Sequence, residues 1–481
     1  MTVSDPARVK AALDHPVVDA DGHIVESIPA VVALMRQLGG SAVADRFTSS
    51  SPTYTSRRAP LLERHDTGRP ATLRGAIPAW WTLPTDARDR ATGFLPALLH
   101  ERMDELGLDF SILYPSVGLT CMAHPDDEIR TVACRAVNTY LAQVTDGLGD
   151  RLTAAAVIPT HTPDEALAEL DHAVLELGLK AVLCNNVVPR PLAGAEPGAR
   201  WLDVLALDSV HDYDPLWARC VELGVAVTVH APTMGTELRQ SSSRYMYNHI
   251  GTFAASAEAF AKALVFGGVA QRFDQLTFGF LECGVAWGVQ LLADLVGRLE
   301  KRGADAIGRL DPSLVDLEVW DELLVRYGGE LFSDPAVRRA MAGQSDNPPA
   351  ELDDFRDAGL DEPGDLAAQF DRFYFGCEAD DATVGWAFAA ATNPLGAVLH
   401  PMLGSDLGHW DVPDLRGILP EAYELVEEGR LDRAAFRAFA CDNPIALHAT
   451  MNPAFFDGTP VEAYARALVG TPAARGSGPL P

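Results

Sequence analysis

Eight short runs of apolar, largely β-branched residues recur along the chain, and helical patterns separate most of them. The runs are VVDA at 17–20, DFSILYP at 109–115, LTAAAVIP at 152–159 and LKAVLCNN at 179–186. VAVTVHAP follows at 225–232, LTFGFLEC at 276–283, RFYFGCE at 372–378 and AVLHPMLGSD at 397–406. Runs apolar on both faces suit parallel strands covered on both sides. Between them, residues 126–147, 163–177, 214–224, 252–271 and 284–302 carry apolar positions at three- and four-residue spacing. Thr162 or Asp164 is placed to cap the second of these helices and Gly224 to stop the third. Strand alternating with helix through eight units predicts an α/β fold, a closed (β/α)8 TIM barrel. No GxGxxG turn follows any of the runs, which disfavours an open dinucleotide-binding sheet.

Two stretches exceed what a bare barrel needs. Residues 24–108, after strand one, are rich in Pro, Arg and aromatics; residues 303–371, after strand six, are acidic and partly helical. Both read as insertions at the carboxyl face, where substrate walls are built. The 481 residues are therefore expected to form a single barrel domain, with 466–481 a frayed tail. A net charge of −29 would repel a polyanion, so nucleic acid is not expected as a partner. No apolar run approaches the roughly 18 residues a membrane span needs, so no membrane association is expected. The seven cysteines are scattered and include no CxxC pair, which fits reduced thiols. With no basic-plus-apolar leader at the N-terminus, cytoplasmic residence is expected.

Ionisable residues interrupt the apolar runs at their carboxyl ends. Strand one ends in Asp19-Ala20-Asp21-Gly22-His23, strand five in His230, strand six in Glu282, strand seven in Glu378 and strand eight in Asp406, with His409 just beyond. Charges in a barrel interior are costly unless paired or metal-bound. Asp21 and His23 lie two apart on a strand and so face one side. Four side chains, Asp21, His23, His230 and Asp406, are expected to meet around a divalent cation. For each alone a structural role competes: a turn for Asp21, a satisfied core histidine for His230, a helix cap for Asp406. Glu282 and His249 are candidate catalytic groups, while Glu378 and His409 would support the site or hold a second metal. Cys283 and Cys377 read as small buried residues, having no recognisable flanking base.

The segment DADGHIVE at 19–26 resembles the opening of the amidohydrolase-related family that includes aminocarboxymuconate semialdehyde decarboxylase. LYPSVGL at 113–119, ACRAVNTYLA at 133–142, RCVELGVAVTVHAPT at 219–233 and GVAQRFDQLTFGFLECGVAWGVQLL at 268–292 fit the same pattern. So do LGSDLGHWDVPD at 403–414 and FFDGT at 455–459. The resemblance implies a barrel with one divalent metal, usually zinc, on Asp21, His23, His230 and Asp406, and a homodimer. One departure stands out: many members carry a histidine where this chain has Glu282. The added carboxylate raises the standing of iron or manganese and makes a second ion conceivable. A carboxylated-lysine bridge is not available, because Lys180 opens strand four and no other lysine is near. The expected activity is hydrolysis of an acyl bond (amide, ester, lactone or thioester) in a small-molecule substrate. Asp406 would act as base, and Glu282 or His249 would orient the substrate or stabilise the oxyanion. Trp80, Trp81 and Trp287 are candidates for an apolar wall suited to an apolar or aromatic substrate. The alternative is non-oxidative decarboxylation of an aromatic or unsaturated acid, with Asp406 protonating carbon.

Overall fold

The computed structural model describes residues 5–50, 84–192, 194, 196, 199–230, 245–342 and 352–470. Among the described residues ten strands are present: β1 Val18–Ile24, β2 Phe110–Pro115, β3 Leu152–Ile158, β4 Ala181–Cys184, β5 Val188–Pro191, β6 Arg200–Asp203, β7 Val227–Val229, β8 Phe278–Phe280, β9 Phe373–Cys377 and β10 His400–Leu403. Eight of them pair in parallel in the order β1-β2-β3-β4-β7-β8-β9-β10. The sheet curls until its two ends meet. Across that seam the Asp406 N–H donates to the Asp21 carbonyl at 2.9 Å, and the His23 N–H donates to the Leu407 carbonyl at 3.1 Å. The chain thus forms a nearly closed (β/α)8 barrel.

The apolar runs behave as expected of strands covered on both sides: every residue of β1, β2, β3, β4 and β9 is buried. Phe278 and Phe280 of β8 point outward, where Phe278 meets Trp217 and both meet Phe260 of the surrounding helices. The helices start and stop where local chemistry dictates. The side chain of Asp126 accepts from the Ile129 N–H at the head of Asp127–Val144. Thr162 does the same for Glu165 at the head of Pro163–Asp171. Gly224, at φ 66°, closes Asp214–Leu223 in the left-handed conformation.

The seam depends on one buried carboxylate. Asp19 accepts from the Ser111 hydroxyl of β2 at 2.6 Å, and from the Ser405 hydroxyl and N–H beyond β10 at 2.8 and 2.9 Å. Strand β1 bulges over this point: Asp19 pairs with Ser111 but Gly22 with Leu113, so β1 uses one residue more than β2. A side chain at Gly22 would meet Asp19 Oδ2 at 2.6 Å and the Ser111 hydroxyl at 2.8 Å, so only glycine fits.

Three features differ from the sequence reading. β5 and β6, inside a stretch with no assigned element, form a separate antiparallel hairpin. It is anchored by Arg190, which pairs with Asp203 and donates to the Tyr213 hydroxyl and the His161 carbonyl. Of the tail expected to fray from 466, residues 466–470 belong to the helix Glu462–Gly470, and 471–481 lie outside the described residues. The stretch after β1 contains helices Ile28–Gly39, Ser41–Ser50, Ala87–Phe94 and Pro96–Leu106. The end of Ala87–Phe94 docks on the rim, where a side chain at Gly93 would meet the Gly408 backbone at 2.9 Å. Among the described residues no helix is long and apolar enough to cross a membrane.

Two stability predictions follow from these packing arrangements. Asp19→Ala would strand three buried donors on two segments and is expected to cost about 3 kcal/mol or more, read as a lowered urea midpoint. The second concerns His448, buried and stacked on Phe455 at 4.5 Å, whose imidazole burial holds down to a pKa of about 3. Below pH ~6.5 the unfolded chain takes up a proton that the folded chain refuses, so stability falls progressively toward pH ~3. His448→Leu should flatten the loss of urea midpoint between pH 6.5 and 4; an unchanged slope would contradict this assignment.

Candidate metal centre

Five of the barrel strands deliver an imidazole or a carboxylate to one rim. Asp21 and His23 come from β1, Asp21 within its bulge and His23 just after it, and both are buried. His230 follows β7 by one residue, Glu282 follows β8 by two, and Asp406 follows β10 by three. Glu282 and Asp406 hold left-handed backbones, at φ 52° and 46°. Non-glycine residues adopt that conformation at a cost of about 1–3 kcal/mol, so the surrounding fold must impose it. It turns each carboxylate back over the barrel mouth instead of along the departing loop. Gly404 supports this turn, since a side chain there would meet Asp21 Cβ at 2.9 Å.

The side chains converge tightly. His23 Nε2 lies 3.3 Å from Asp406 Oδ1 and 3.6 Å from Asp21 Oδ1. His230 Nε2 lies 2.6 Å from Glu282 Oε2. Ligand-type atoms of Asp21, His23 and His230 all fall within 4.8 Å of one another, as do those of His23, Glu282, Asp406 and His409. His409 stacks on His23 with ring centres 4.0 Å apart. Its Nδ1 is 2.7 Å from Asp406 Oδ1, and its Nε2 is 2.9 Å from the Ser116 hydroxyl. Ser116 opens the helix Ser116–Met122, whose first N–H groups donate to the buried Glu26 carboxylate at 2.8–3.0 Å. Glu26 thereby fixes the helix that carries the last member of the Asp406–His409–Ser116 chain.

Electrostatics mark the site as short of positive charge. Burial drives the Asp21 carboxyl well above its ordinary range, with Glu282 and Asp19 adding to the rise and His230 opposing it. Burial likewise raises Asp406, reinforced by Glu282 and Asp411. It pushes the His23 imidazole well down, helped by His409 and His230. Glu282 is the exception: burial works to raise it, but the charge of His230 and its hydrogen bond outweigh this and hold it low. Both ring nitrogens of His23, Oδ1 of Asp21 and both carboxylate oxygens of Asp406 are buried without a hydrogen bond of acceptable geometry. Such groups are costly to bury unless a cation compensates them. The donor set of imidazole nitrogens and carboxylate oxygens suits a divalent ion, so the residues present fit a metal.

The remaining expected residues sort by position. His249 ends the short helix Tyr245–His249, and its ligand-type atom falls within 4.8 Å of those of Glu282 and Asp411. It meets Phe253 and Trp410 edge-on, at 5.2 and 5.7 Å. Glu378 stays in contact with solvent at the mouth. Burial around it, then the charges of Asp411, Glu282, Asp380 and Asp381, push its carboxyl up to about 8. Trp287 does not join them. It packs between Phe280 and Phe375 in the layer between barrel and helices, because it opens the helix Ala286–Arg302 that covers the outward faces of β8 and β9. The aromatic rings at the site are instead Phe253, 5.6 Å from His230, and Trp410. Trp80 and Trp81 lie outside the described residues. Sequence reading passed over Asp411, Trp410, Ser116, Glu26 and Asp19; the hydrogen-bonding residues of DADGHIVE were the available signal for the last two.

Residues 18–330 match the amidohydrolase family, and the chain belongs to it. Over 123 residues it is 35% identical to the decarboxylase orsB of Emericella nidulans, a stretch covering 25% of this chain and 30% of that relative. Among solved structures it resembles an amidohydrolase from Mycobacterium avium subsp. paratuberculosis K-10. That match has TM-score 0.47 and 16% identity over 90% of this chain and 99% of that one. It also resembles a dihydroxybenzoic acid decarboxylase from Polaromonas sp. JS666 with bound manganese, at TM-score 0.46 and 14% identity over 90% and 97%.

The purified protein is expected to retain divalent metal through gel filtration. His230→Ala should lower its content at least tenfold by elemental analysis, while Trp287→Phe should leave it unchanged. Full metal content in the His230 variant would remove this residue from the ligand set.

Proposed function

We propose that this amidohydrolase-family enzyme hydrolyses an acyl bond in a small neutral or cationic substrate, and that Asp21, His23, His230 and Asp406 hold its metal. A divalent cation there supplies Lewis acidity, polarising an acyl oxygen and acidifying a nearby water. The observation that carries the reading is the placing of Asp406 at the rim, its buried Oδ1 in charge contact with His409 Nδ1 at 2.7 Å, while His409 Nε2 is hydrogen-bonded to the Ser116 hydroxyl at 2.9 Å. Asp406 takes a proton from water as its oxygen bonds to the acyl carbon. It returns the proton to the leaving nitrogen or oxygen as that bond breaks. His409, stacked on His23, steadies Asp406 and links it to the Ser116 hydroxyl. Phe253 and Trp410 offer an apolar flank beside His230 and His249.

Charge decides the substrate class. Glu282, Glu378, Asp411, Asp380 and Asp381 crowd one side of the mouth, and carboxylates and imidazoles are the main charges acting on the site residues. An anionic group entering there meets like charge at low dielectric, which favours neutral or cationic substrates.

Decarboxylation remains a second reading because of the 35% identity to the decarboxylase orsB. Under it Asp406 gives its proton to the carbon that loses carbon dioxide. The two readings part on isotopes and products. Turnover in ¹⁸O-water should place one labelled oxygen in the acyl product. Carbon dioxide release from aryl carboxylates without such label would replace hydrolysis by the second reading. Asp406→Asn should lower kcat by about 10²–10⁴-fold, and activity within threefold of the parent would exclude Asp406 as the proton carrier.

A further inference from the structure

We propose that His249, Glu282 and Asp411 form a second cation subsite for a hard divalent ion such as manganese, with Glu282 lying between it and the first site. The proposal rests on the metal reading above and adds a second ion to it. One imidazole and two carboxylates place ligand atoms within 4.8 Å of one another. Ligands at roughly 2.0–2.5 Å from one ion lie at most about 4–5 Å apart, so that spacing is compatible with a single coordination sphere.

Two observations point to a ligand. Oδ1 of Asp411 is buried from solvent and makes no hydrogen bond of acceptable geometry. Glu282 groups both with His23, Asp406 and His409 and with His249 and Asp411, so its carboxylate lies between the two positions. Its left-handed backbone, φ 52°, is what turns it there. The mixture of carboxylate oxygens with one imidazole favours manganese or iron over a thiolate-preferring ion. His249 is held by its edge contacts with Phe253 and Trp410, which fix the ring ahead of any ion.

The test uses the full chain, stripped with chelator and titrated with Mn²⁺ alone. Bound manganese is counted by elemental analysis after desalting, and the spin state is read by electron paramagnetic resonance. The parent is expected to hold two ions per chain with a spin-coupled spectrum. His249→Ala and Asp411→Asn should each hold one, with an uncoupled six-line spectrum. Circular dichroism and the retained first ion show that the variants are folded. One ion in the parent overturns the second subsite and leaves the first standing. Two ions in parent and variants alike overturn the assignment to His249 and Asp411. No ion in the parent overturns the metal reading as a whole.

Discussion

The site exists because the barrel closes, and closure runs through the carboxylate of Asp19. Strands β1 and β10 are separated by almost the whole chain, and the ligand-type residues ride on their ends. Asp19 gathers the Ser111 hydroxyl, the Ser405 hydroxyl and the Ser405 N–H onto one buried group, so the ends can meet in one register only. From that register the rest follows. Asp406 pairs its N–H with the Asp21 carbonyl, His23 pairs with Leu407, and Asp21, His23 and Asp406 face one another. A slip of one residue would turn Asp21 and His23 out of the barrel. The bulge at Ala20–Asp21 is therefore part of the site's construction, and Gly22 is the residue that leaves room for it.

The second constraint is the price of buried charge. Asp21, His23, Asp406 and Glu282 are all largely withdrawn from water, yet the main charges around them are other carboxylates and imidazoles. Without a cation, burial drives the two aspartates toward the neutral acid and His23 toward neutral imidazole. A bound cation reverses the preference of the carboxylates and is satisfied by neutral histidine. The same arrangement that is unfavourable when empty of charge is thus the favourable one for a metal, and the strained backbones at Glu282 and Asp406 belong to the same balance.

Most of the fold was legible because a barrel strand is buried on both faces and so writes a continuous apolar run. All eight runs became strands, and the helix caps at Thr162 and Gly224 were visible as single residues. The hairpin β5–β6 was not, because its residues Val188–Pro191 and Arg200–Asp203 are mixed polar and apolar, with two prolines, and owe their pairing to the tertiary anchor of Arg190. The last helix was masked by the Gly- and Pro-rich sequence immediately after it. The candidate ligands were legible for the opposite reason to the strands: an ionisable residue at the end of an apolar run has to be accounted for. Trp287 shows the limit of that logic. An aromatic residue near a strand end can face the ligand or the helical shell, and sequence distance does not distinguish these. Trp410 sits in the loop that also carries His409 and Asp411, which the Leu407 carbonyl, the His409–Ser116 hydrogen bond and the close approach of Gly93 to Gly408 hold over the site.

Glu282 lies 2.6 Å from His230 just beyond β8, and its charge reaches more than one neighbour. A histidine at that point would add a neutral donor; the glutamate adds a negative charge 2.6 Å from His230. That charge holds Glu282 ionised through His230 while it raises the carboxyls of Asp21, Asp406 and Glu378 around it. An anionic substrate would have to enter against this field, whereas a neutral acyl group would not. The same glutamate reaches toward His249 and Asp411, residues that a mononuclear site has no need to draw in. On the proposed reading, substrate charge and the capacity of the site for cations both turn on Glu282, so a change at position 282 would alter the two together.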